Sequence, residues 1–115
     1  MARVFITGSS DGLGMMAARL LITEDHAVVL HGRNKRRSHD ALVAAPGAQG
    51  IVSGDLSTIA GARTVAEQVN RLGPFDAVIH NAGVGYRESR VEVEPGVPTV
   101  FAVNVLAPYI LTALI

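Results

Sequence analysis

Short runs of apolar residues recur along the chain at intervals of roughly 25 residues and predict four β-strands. The runs are almost uninterrupted, whereas a strand with one solvent-facing side would alternate apolar and polar positions. Uninterrupted runs are typical of parallel strands that helices cover on both faces of a sheet. The predicted strands are Arg3–Thr7, Ala27–His31, Ile51–Ser53 and Ala77–His80.

The segments between these runs carry apolar residues at a spacing near 3.6 and predict helices over Leu13–Thr23 and Ile59–Leu72. Asn34–Ala45 is predicted to be a shorter, more polar helix. Asp55–Ser57 is a candidate cap for the Ile59–Leu72 helix, and Gly73-Pro74 is its stop signal. The first helix would bury Leu13, Ala17, Leu20 and Leu21, and the Ile59–Leu72 helix would bury Ile59, Ala62, Val65, Val69 and Leu72.

This alternation of strands and helices predicts an α/β fold, a doubly wound parallel sheet of the Rossmann type with right-handed crossovers. A length of 115 residues suits a single domain over 1–115. Val84–Pro98 interrupts the alternation of strands and helices and is predicted to be a surface loop near the strand ends. A last, strongly apolar helix from about Val97 reaches Ile115 without a stop signal. We therefore expect the fold to be truncated after the helix that follows the fourth strand.

Truncation would leave the strand Ala77–His80 with a bare edge and the last helix with an uncovered apolar face. Exposed strand edges and large apolar patches both promote association. We therefore expect the isolated chain to form a homo-oligomer through the C-terminal helix, to be prone to aggregation or to be only marginally folded. The side chains concerned are Phe101, Val105, Leu106, Tyr109, Ile110 and Leu114.

Composition narrows the classes of function. Ten Lys and Arg balance ten Asp and Glu, so the chain has no basic surplus with which to neutralise nucleic-acid phosphates. The absence of cysteine excludes disulfides, thiolate zinc sites and cysteine nucleophiles, and the four histidines lack the spacing of a metal site. The sequence shows neither a signal peptide nor a membrane-spanning run. We expect a cytoplasmic protein with no metal, no nucleic-acid partner and no membrane partner.

The sharpest motif is the glycine-rich stretch Thr7–Gly14 (TGSSDGLG), which follows the first strand and opens the first helix. In a dinucleotide-binding loop, Gly8 would permit a tight turn, Gly12 would let the backbone approach a pyrophosphate, and Gly14 would let helix and strand approach closely. Free N–H groups and the helix dipole would then face the anion. The alternative is a glycine-rich turn that binds nothing.

The spacing TGxxxGxG resembles that of the short-chain dehydrogenase/reductase family, whose members use NAD(H) or NADP(H). Further matches follow in the family's order: Asp55-Leu56 after the third strand, Asn81-Ala82-Gly83 after the fourth, and Asn104 in the next helix. The resemblance spans essentially the whole chain. It implies cofactor contacts at Thr7, Gly8, Ser10, Gly12, Leu13, Gly14, Arg33, Asp55, Leu56, Asn81, Ala82 and Gly83.

The residues after the second strand favour NADP(H) over NAD(H). No acid stands before Asp40 where an NAD-binding fold carries the ribose-binding carboxylate, and Arg33 offers a guanidinium suited to a 2′-phosphate. Asp11 stands where many NADP-dependent members carry a second basic group. Alternatively, Arg33 belongs to a solvated helix start.

The other matched positions also have ordinary structural alternatives. Asp55 would accept a hydrogen bond from the adenine amino group, or cap the following helix, or do both. The segment Asn81–Gly83 would pass close to the cofactor ribose, or form an ordinary strand-end turn. We expect His80 to be a packed strand residue.

Catalysis in the family uses a Ser, a Tyr with a Lys four residues later, and a helix Asn that supports a proton-relay water. Asn104 matches the Asn, and we expect it to be buried with a polar partner, although simple helix–helix hydrogen bonding would explain it as well. The Tyr-x-x-x-Lys pair is absent, since Tyr86 is followed four residues later by Arg90 and the only lysine is Lys35.

We therefore expect a small-molecule carbonyl or alcohol as substrate and an NADP(H)-dependent oxidoreductase as the parent protein. This chain would supply the cofactor-binding half and be inactive alone. One alternative is a non-catalytic NADP-binding regulatory or interaction module. Another is a degenerate paralogue without function.

Overall fold

The structure is a computed structural model that describes residues 1–84 and 95–115. Its sheet contains four parallel strands in the order β3-β2-β1-β4. The expected doubly wound α/β fold is confirmed, and all four strands end at the same edge of the sheet. Their bounds are β1 Arg3–Ile6, β2 Ala27–Gly32, β3 Gly50–Ser53 and β4 Ala77–Ile79.

Helices cover both faces of the sheet. Alternate residues of β1 point to opposite sides, so that Val4 and Ile6 pack with one group of helices and Phe5 with the other. The helices are α1 Gly12–Thr23, α2 Lys35–Ala44, α3 Ile59–Arg71, α4 Thr99–Phe101 and α5 Ala107–Leu114. Residues of α1 and α2 pack on the first face, and residues of α3 and α5 pack on the second.

The expected single helix from Val97 begins at Thr99 and is not uniform. Five residues, Ala102–Leu106, form a π-helical segment between α4 and α5. Pro108 explains the interruption, because it has no N–H to donate to the carbonyl of Asn104 four residues earlier.

The prediction for the buried face of α1 was correct for Ala17 and Leu21, which are half-buried against the core, and wrong for Leu13 and Leu20. Leu13 and Leu20 are 75% and 60% exposed, whereas Gly14, Met15 and Ala18 are buried. Gly14 sets this rotation because it lies directly against the loop that follows β1. Leu13 and Leu20 then fall on the opposite, solvent-facing side of the helix.

The prediction for α3 was correct at its centre and wrong at its ends. Ala62, Val65 and Val69 are buried, while Ile59 and Leu72 are about 40% exposed. The N-cap is Thr58 and not Asp55–Ser57, since the Thr58 hydroxyl accepts a hydrogen bond from the Gly61 N–H at 2.9 Å. The expected stop is present, with Gly73 in a left-handed conformation at φ +97°.

Strand β4 lies at one edge of the described sheet and ends at Ile79. His80 therefore falls outside the strand and is exposed, contrary to the expectation of a packed strand residue; its Nε2 lies 3.1 Å from the Thr112 hydroxyl. The part of the His80 imidazole that is shielded from water is enough to lower its pKa. Most of the predicted loop Val84–Pro98 lies outside the described residues.

The apolar face of the C-terminal helical segment is largely open. Leu106 and Ile110 are half-buried, and the exposed members are Phe101, Val105, Tyr109 and Leu114. Within residues 1–84 and 95–115, no helix combines the length and the hydropathy that a membrane crossing requires.

Candidate cofactor site

A pocket of about 560 Å³ lies at the carboxyl ends of the strands. This is where open α/β sheets bind their ligands, and the volume falls within the roughly 300–1,000 Å³ typical of small-molecule sites. Of the residues expected from the sequence to bind cofactor, the lining includes Gly8, Ser10, Gly12, Leu13, Arg33, Asp55, Leu56, Asn81, Ala82 and Gly83. Thr7, Gly14 and Asn104 are not part of the lining and lie around it.

Glycine suits each of the three loop positions for a different structural reason. Gly8 has φ +62°, and a Cβ there would lie 2.8 Å from the Ala82 Cα. A Cβ on Gly14 would overlap the Gly8 carbonyl oxygen and lie 2.6 Å from the Asn81 Nδ2. Gly12 has φ +55° and no atom near its Cβ position, so it opens directly on the pocket.

Thr7 lies under the loop and joins it to the segment after β4. Its buried hydroxyl accepts hydrogen bonds from the N–H groups of Asn81 and Ala82, both at 3.1 Å. In addition, Nδ2 of the Asn81 side chain donates a hydrogen bond to the Gly8 carbonyl at 3.0 Å. These three bonds fix the Asn81–Gly83 segment against the glycine-rich loop, so the two walls of the pocket are held together.

His31 is a member of this network that the sequence analysis missed. Its Nδ1 accepts a hydrogen bond from the Gly8 N–H at 2.9 Å, and its Nε2 donates to the Gly54 carbonyl at 2.8 Å. Burial lowers the pKa of His31, outweighing the Gly54 carbonyl and the charge of Asp55, which raise it. Because Nδ1 accepts from the Gly8 N–H it carries no proton, and the bond to the Gly54 carbonyl places the proton of the neutral ring on Nε2. The available signal was a single polar residue at the end of the apolar run of β2.

The N-terminus of α1 faces the pocket with its amide groups unsatisfied by a side chain. Asp11 occupies the N-cap position but makes no cap hydrogen bond, and its carboxylate instead pairs with Arg37 Nη1 at 3.1 Å. The first N–H groups of a helix have no partner within the helix, and the dipole adds partial positive charge there. Such an end is suited to a phosphate or another anion.

Arg33 and Asp55 lie on the side of the pocket formed by the ends of β2 and β3. The exposed Arg33 guanidinium makes no hydrogen bond or ion pair with any residue in the described ranges. Asp55 Oδ1 accepts from the Ser57 N–H at 2.9 Å and from the Ser57 hydroxyl at 2.7 Å. The second carboxylate oxygen has no protein partner in the part of the chain described.

Asn104 is exposed, and the expectation of a buried side chain was wrong. The expected polar partner is the backbone of Val84: Asn104 Oδ1 accepts from its N–H at 2.9 Å, and Nδ2 donates to its carbonyl at 3.1 Å. Val84 lines the pocket directly after Gly83. Asn104 thus connects the π-helical segment to the wall of the pocket.

Comparison with known proteins agrees with this geometry. The family model for short chain dehydrogenase matches residues 2–115. An uncharacterised oxidoreductase of Emericella nidulans is 53% identical over 116 residues, which cover 99% of this chain and 46% of that protein. A short-chain dehydrogenase of Penicillium rubens is 47% identical over 115 residues, which cover 100% of this chain and 44% of that protein.

A solved structure has the same architecture. L-Sorbose reductase from Gluconobacter frateurii, complexed with NADPH and L-sorbose, has a TM-score of 0.80 and 28% sequence identity. The match covers 99% of this chain and 46% of that one. This chain therefore spans slightly less than half the length of the relatives it matches. With a family model that matches residues 2–115, the chain belongs to the short-chain dehydrogenase family.

Proposed function

We propose that the protein is an NADP(H)-dependent oxidoreductase that transfers a hydride between the nicotinamide and a small carbonyl or alcohol substrate. Residues 1–115 form a single domain that supplies the cofactor-binding half. The observation that carries the proposal is the pocket itself. Its lining combines the open N-terminus of α1 with the guanidinium of Arg33, which has no partner among residues 1–84 and 95–115. The bound cofactor would supply the hydride chemistry, and this chain would hold and orient it.

The glycine-rich loop holds the pyrophosphate in this proposal. Ser10, Gly12 and Leu13 line the pocket at the start of α1, where N–H groups and the helix dipole favour negative charge. Thr7 and Gly14 act from behind the loop, Thr7 through its bonds to the segment after β4 and Gly14 through its close backbone contact.

Arg33 gives the preference for NADP(H). A 2′-phosphate carries negative charge that a guanidinium binds through two parallel hydrogen bonds, whereas the ribose hydroxyls of NAD(H) are better matched by a carboxylate. Arg33 has no protein partner in the described residues that would compete for it. Asp55 and Leu56 border the adenine, and the Asn81–Gly83 segment borders a ribose.

Asn104 acts as a positioning residue in this structure because both of its polar groups bind Val84. The resemblance to the family implies that it also supports a proton-relay water. That role would require one of the two bonds to Val84 to open, or the water to bind the backbone near Asn104.

We also propose that the protein is cytoplasmic and forms a homo-oligomer through the C-terminal helical segment. The open apolar face of that segment supports the association, since Val105 and Tyr109 are 53% and 72% exposed.

Substitution of Arg33 tests the cofactor preference. The protein is expressed from its complete native reading frame, and NADPH and NADH are titrated into wild type and Arg33→Asp. Loss of a charged hydrogen bond of about 1.5–3 kcal/mol would weaken NADPH binding by roughly 10- to 150-fold. NADH binding would stay the same or improve.

Arg36→Asp is the matched control, because Arg36 is an exposed neighbour on α2 that carries the same charge and lies outside the pocket lining. It should leave the NADPH-to-NADH affinity ratio near the wild-type value. Equal affinities in wild type, or equal effects of the two substitutions, would contradict the assignment to Arg33.

A further inference from the structure

Two charged side chains at the mouth of the pocket are bound to each other. Arg37 Nη1 and Asp11 Oδ2 are 3.1 Å apart, and both residues line the pocket. Arg37 belongs to the first turn of α2 and Asp11 to the glycine-rich loop. The Arg37 N–H donates to the Asn34 side chain at 2.9 Å, so the base of Arg37 is fixed by the helix cap.

The ion pair has one consequence for Asp11 and another for Arg37. An Asp at an N-cap commonly accepts a hydrogen bond from the first turn of its own helix, but Asp11 makes none. The first-turn amides of α1 remain available to an anion, while Asp11 directs its negative charge to Arg37. Arg37 is 45% exposed and presents five N–H donors, only one of which is used by this pair.

We propose that Arg37 is a second binding group for the 2′-phosphate and that Asp11 competes with the phosphate for it. Asp11 is thus a specificity-determining residue that weakens discrimination between NADP(H) and NAD(H). This inference rests on the proposed function, because it assumes that the pocket takes a nicotinamide dinucleotide. It differs from the Arg33 assignment, since Arg33 has no competing carboxylate partner in the described chain.

Two substitutions test whether Asp11 competes with the phosphate for Arg37 or instead orients Arg37 for binding. Exposed ion pairs are weak, so Asp11→Asn should raise NADPH affinity by about two- to five-fold by releasing Arg37. NADH affinity should change by less than about two-fold, because NADH has no 2′-phosphate to gain from the release. Arg37→Gln should lower NADPH affinity by about three- to ten-fold, which allows for solvent exposure, and leave NADH affinity nearly unchanged.

The decisive variant carries both substitutions. If Asp11 acts through Arg37, the gain from Asp11→Asn disappears in the Arg37→Gln background, which is the non-additivity expected for residues in contact. If Asp11 only repels the phosphate through its charge, the same gain persists in both backgrounds, and the proposed competition is overturned.

Equilibrium titration with NADPH and NADH gives the readout for wild type, both single variants and the double variant, expressed from the complete reading frame. Asp40→Asn and Arg36→Gln are matched controls, since both residues are exposed on α2 and outside the pocket lining. Thermal melts establish that each variant is folded, and Arg37→Lys provides a second test that retains the charge but not the planar donor set.

Reduced NADPH affinity in Asp11→Asn would overturn the inference, because it would mean that Asp11 orients Arg37 for binding. Equal gains for NADPH and NADH would overturn it as well. Binding of neither cofactor by wild type would refute the proposed function and this inference together. Preferential NADPH binding by wild type without coupling between Asp11 and Arg37 would refute the inference alone.

Discussion

His31 connects the glycine-rich loop to the ends of two strands, and its loss should be measurable as loss of stability. Substitution by Leu leaves the Gly8 N–H and the Gly54 carbonyl without their partner. Each unpaired buried group costs about 1–3 kcal/mol. Because the Gly8 N–H and the Gly54 carbonyl are only partly buried, we expect a total loss of about 2–4 kcal/mol in the free energy of unfolding. This is a large share of the roughly 5–15 kcal/mol that stabilises a domain.

The same residue gives the stability a pH dependence with a definite sign. Burial lowers the pKa of His31 below its ordinary value of 6.5, so the folded protein binds its proton less readily than the unfolded chain does. The stabilisation from neutral His31 is complete above about pH 6.5 and is lost as the pH falls through the folded-state pKa. One such group changes the free energy of unfolding by at most about 1.4 kcal/mol per pH unit.

Urea denaturation between pH 8 and pH 5 measures both effects in wild type, His31→Leu and His31→Gln. Gln offers one acceptor and one donor but does not titrate, so His31→Gln should retain more stability than His31→Leu and lose the His31 share of the pH dependence. His80→Gln is the control. Burial also lowers the pKa of His80, so His80 makes the stability depend on pH with the same sign, and this variant measures its share separately. A His31→Gln variant that follows the wild-type pH curve would refute this account of the ring, as would wild-type stability that rises on acidification.

Three further substitutions test other parts of the site and the surface. Thr7→Val removes the acceptor of two N–H groups and should lower the free energy of unfolding by about 1–3 kcal/mol in urea melts; Thr7→Ser keeps the hydroxyl, and an equal loss in that variant would contradict the reasoning. Gly12→Val should abolish cofactor binding in titrations while circular dichroism shows the fold retained, at a backbone cost of about 1–3 kcal/mol for its positive φ; binding by the folded variant would show that this loop does not hold the phosphates. Replacing Val105 and Tyr109 by Glu should shift sedimentation toward the monomer, because both side chains are exposed and apolar contact drives association; an unchanged oligomer would place the interface elsewhere.

The architecture was predictable because it depends on local patterns. Uninterrupted apolar runs identified buried parallel strands, and the 3.6-residue spacing located the helices between them. The buried face of α1 was predictable in this way at Ala17 and Leu21 but not at Leu13 and Leu20. Leu13 and Leu20 looked like core residues, but the close contact of Gly14 with Gly8 turns them to solvent. A tertiary backbone contact therefore overrode the helical hydrophobic pattern.

The residues that line the pocket were predictable where they belong to sequence motifs. The hydrogen bonds and ion pairs that hold these residues together were not predictable. The spacing of glycines and the position of Arg33 after β2 are properties of the sequence. The bonds from His31 to Gly8 and from Asn104 to Val84 join residues 20 or more positions apart, and no local pattern encodes such pairs. The ion pair between Asp11 and Arg37, 26 positions apart, is of the same kind.

The crystal structure of the protein with bound NADPH, expressed from its complete reading frame, tests most directly whether this pocket holds a 2′-phosphorylated dinucleotide. We predict that the pyrophosphate lies at the N-terminus of α1 over Gly12, and that the 2′-phosphate lies within hydrogen-bond distance of the Arg33 guanidinium. Density for the cofactor outside this pocket, or a 2′-phosphate that faces solvent without contact to Arg33, would contradict the proposed function and its specificity.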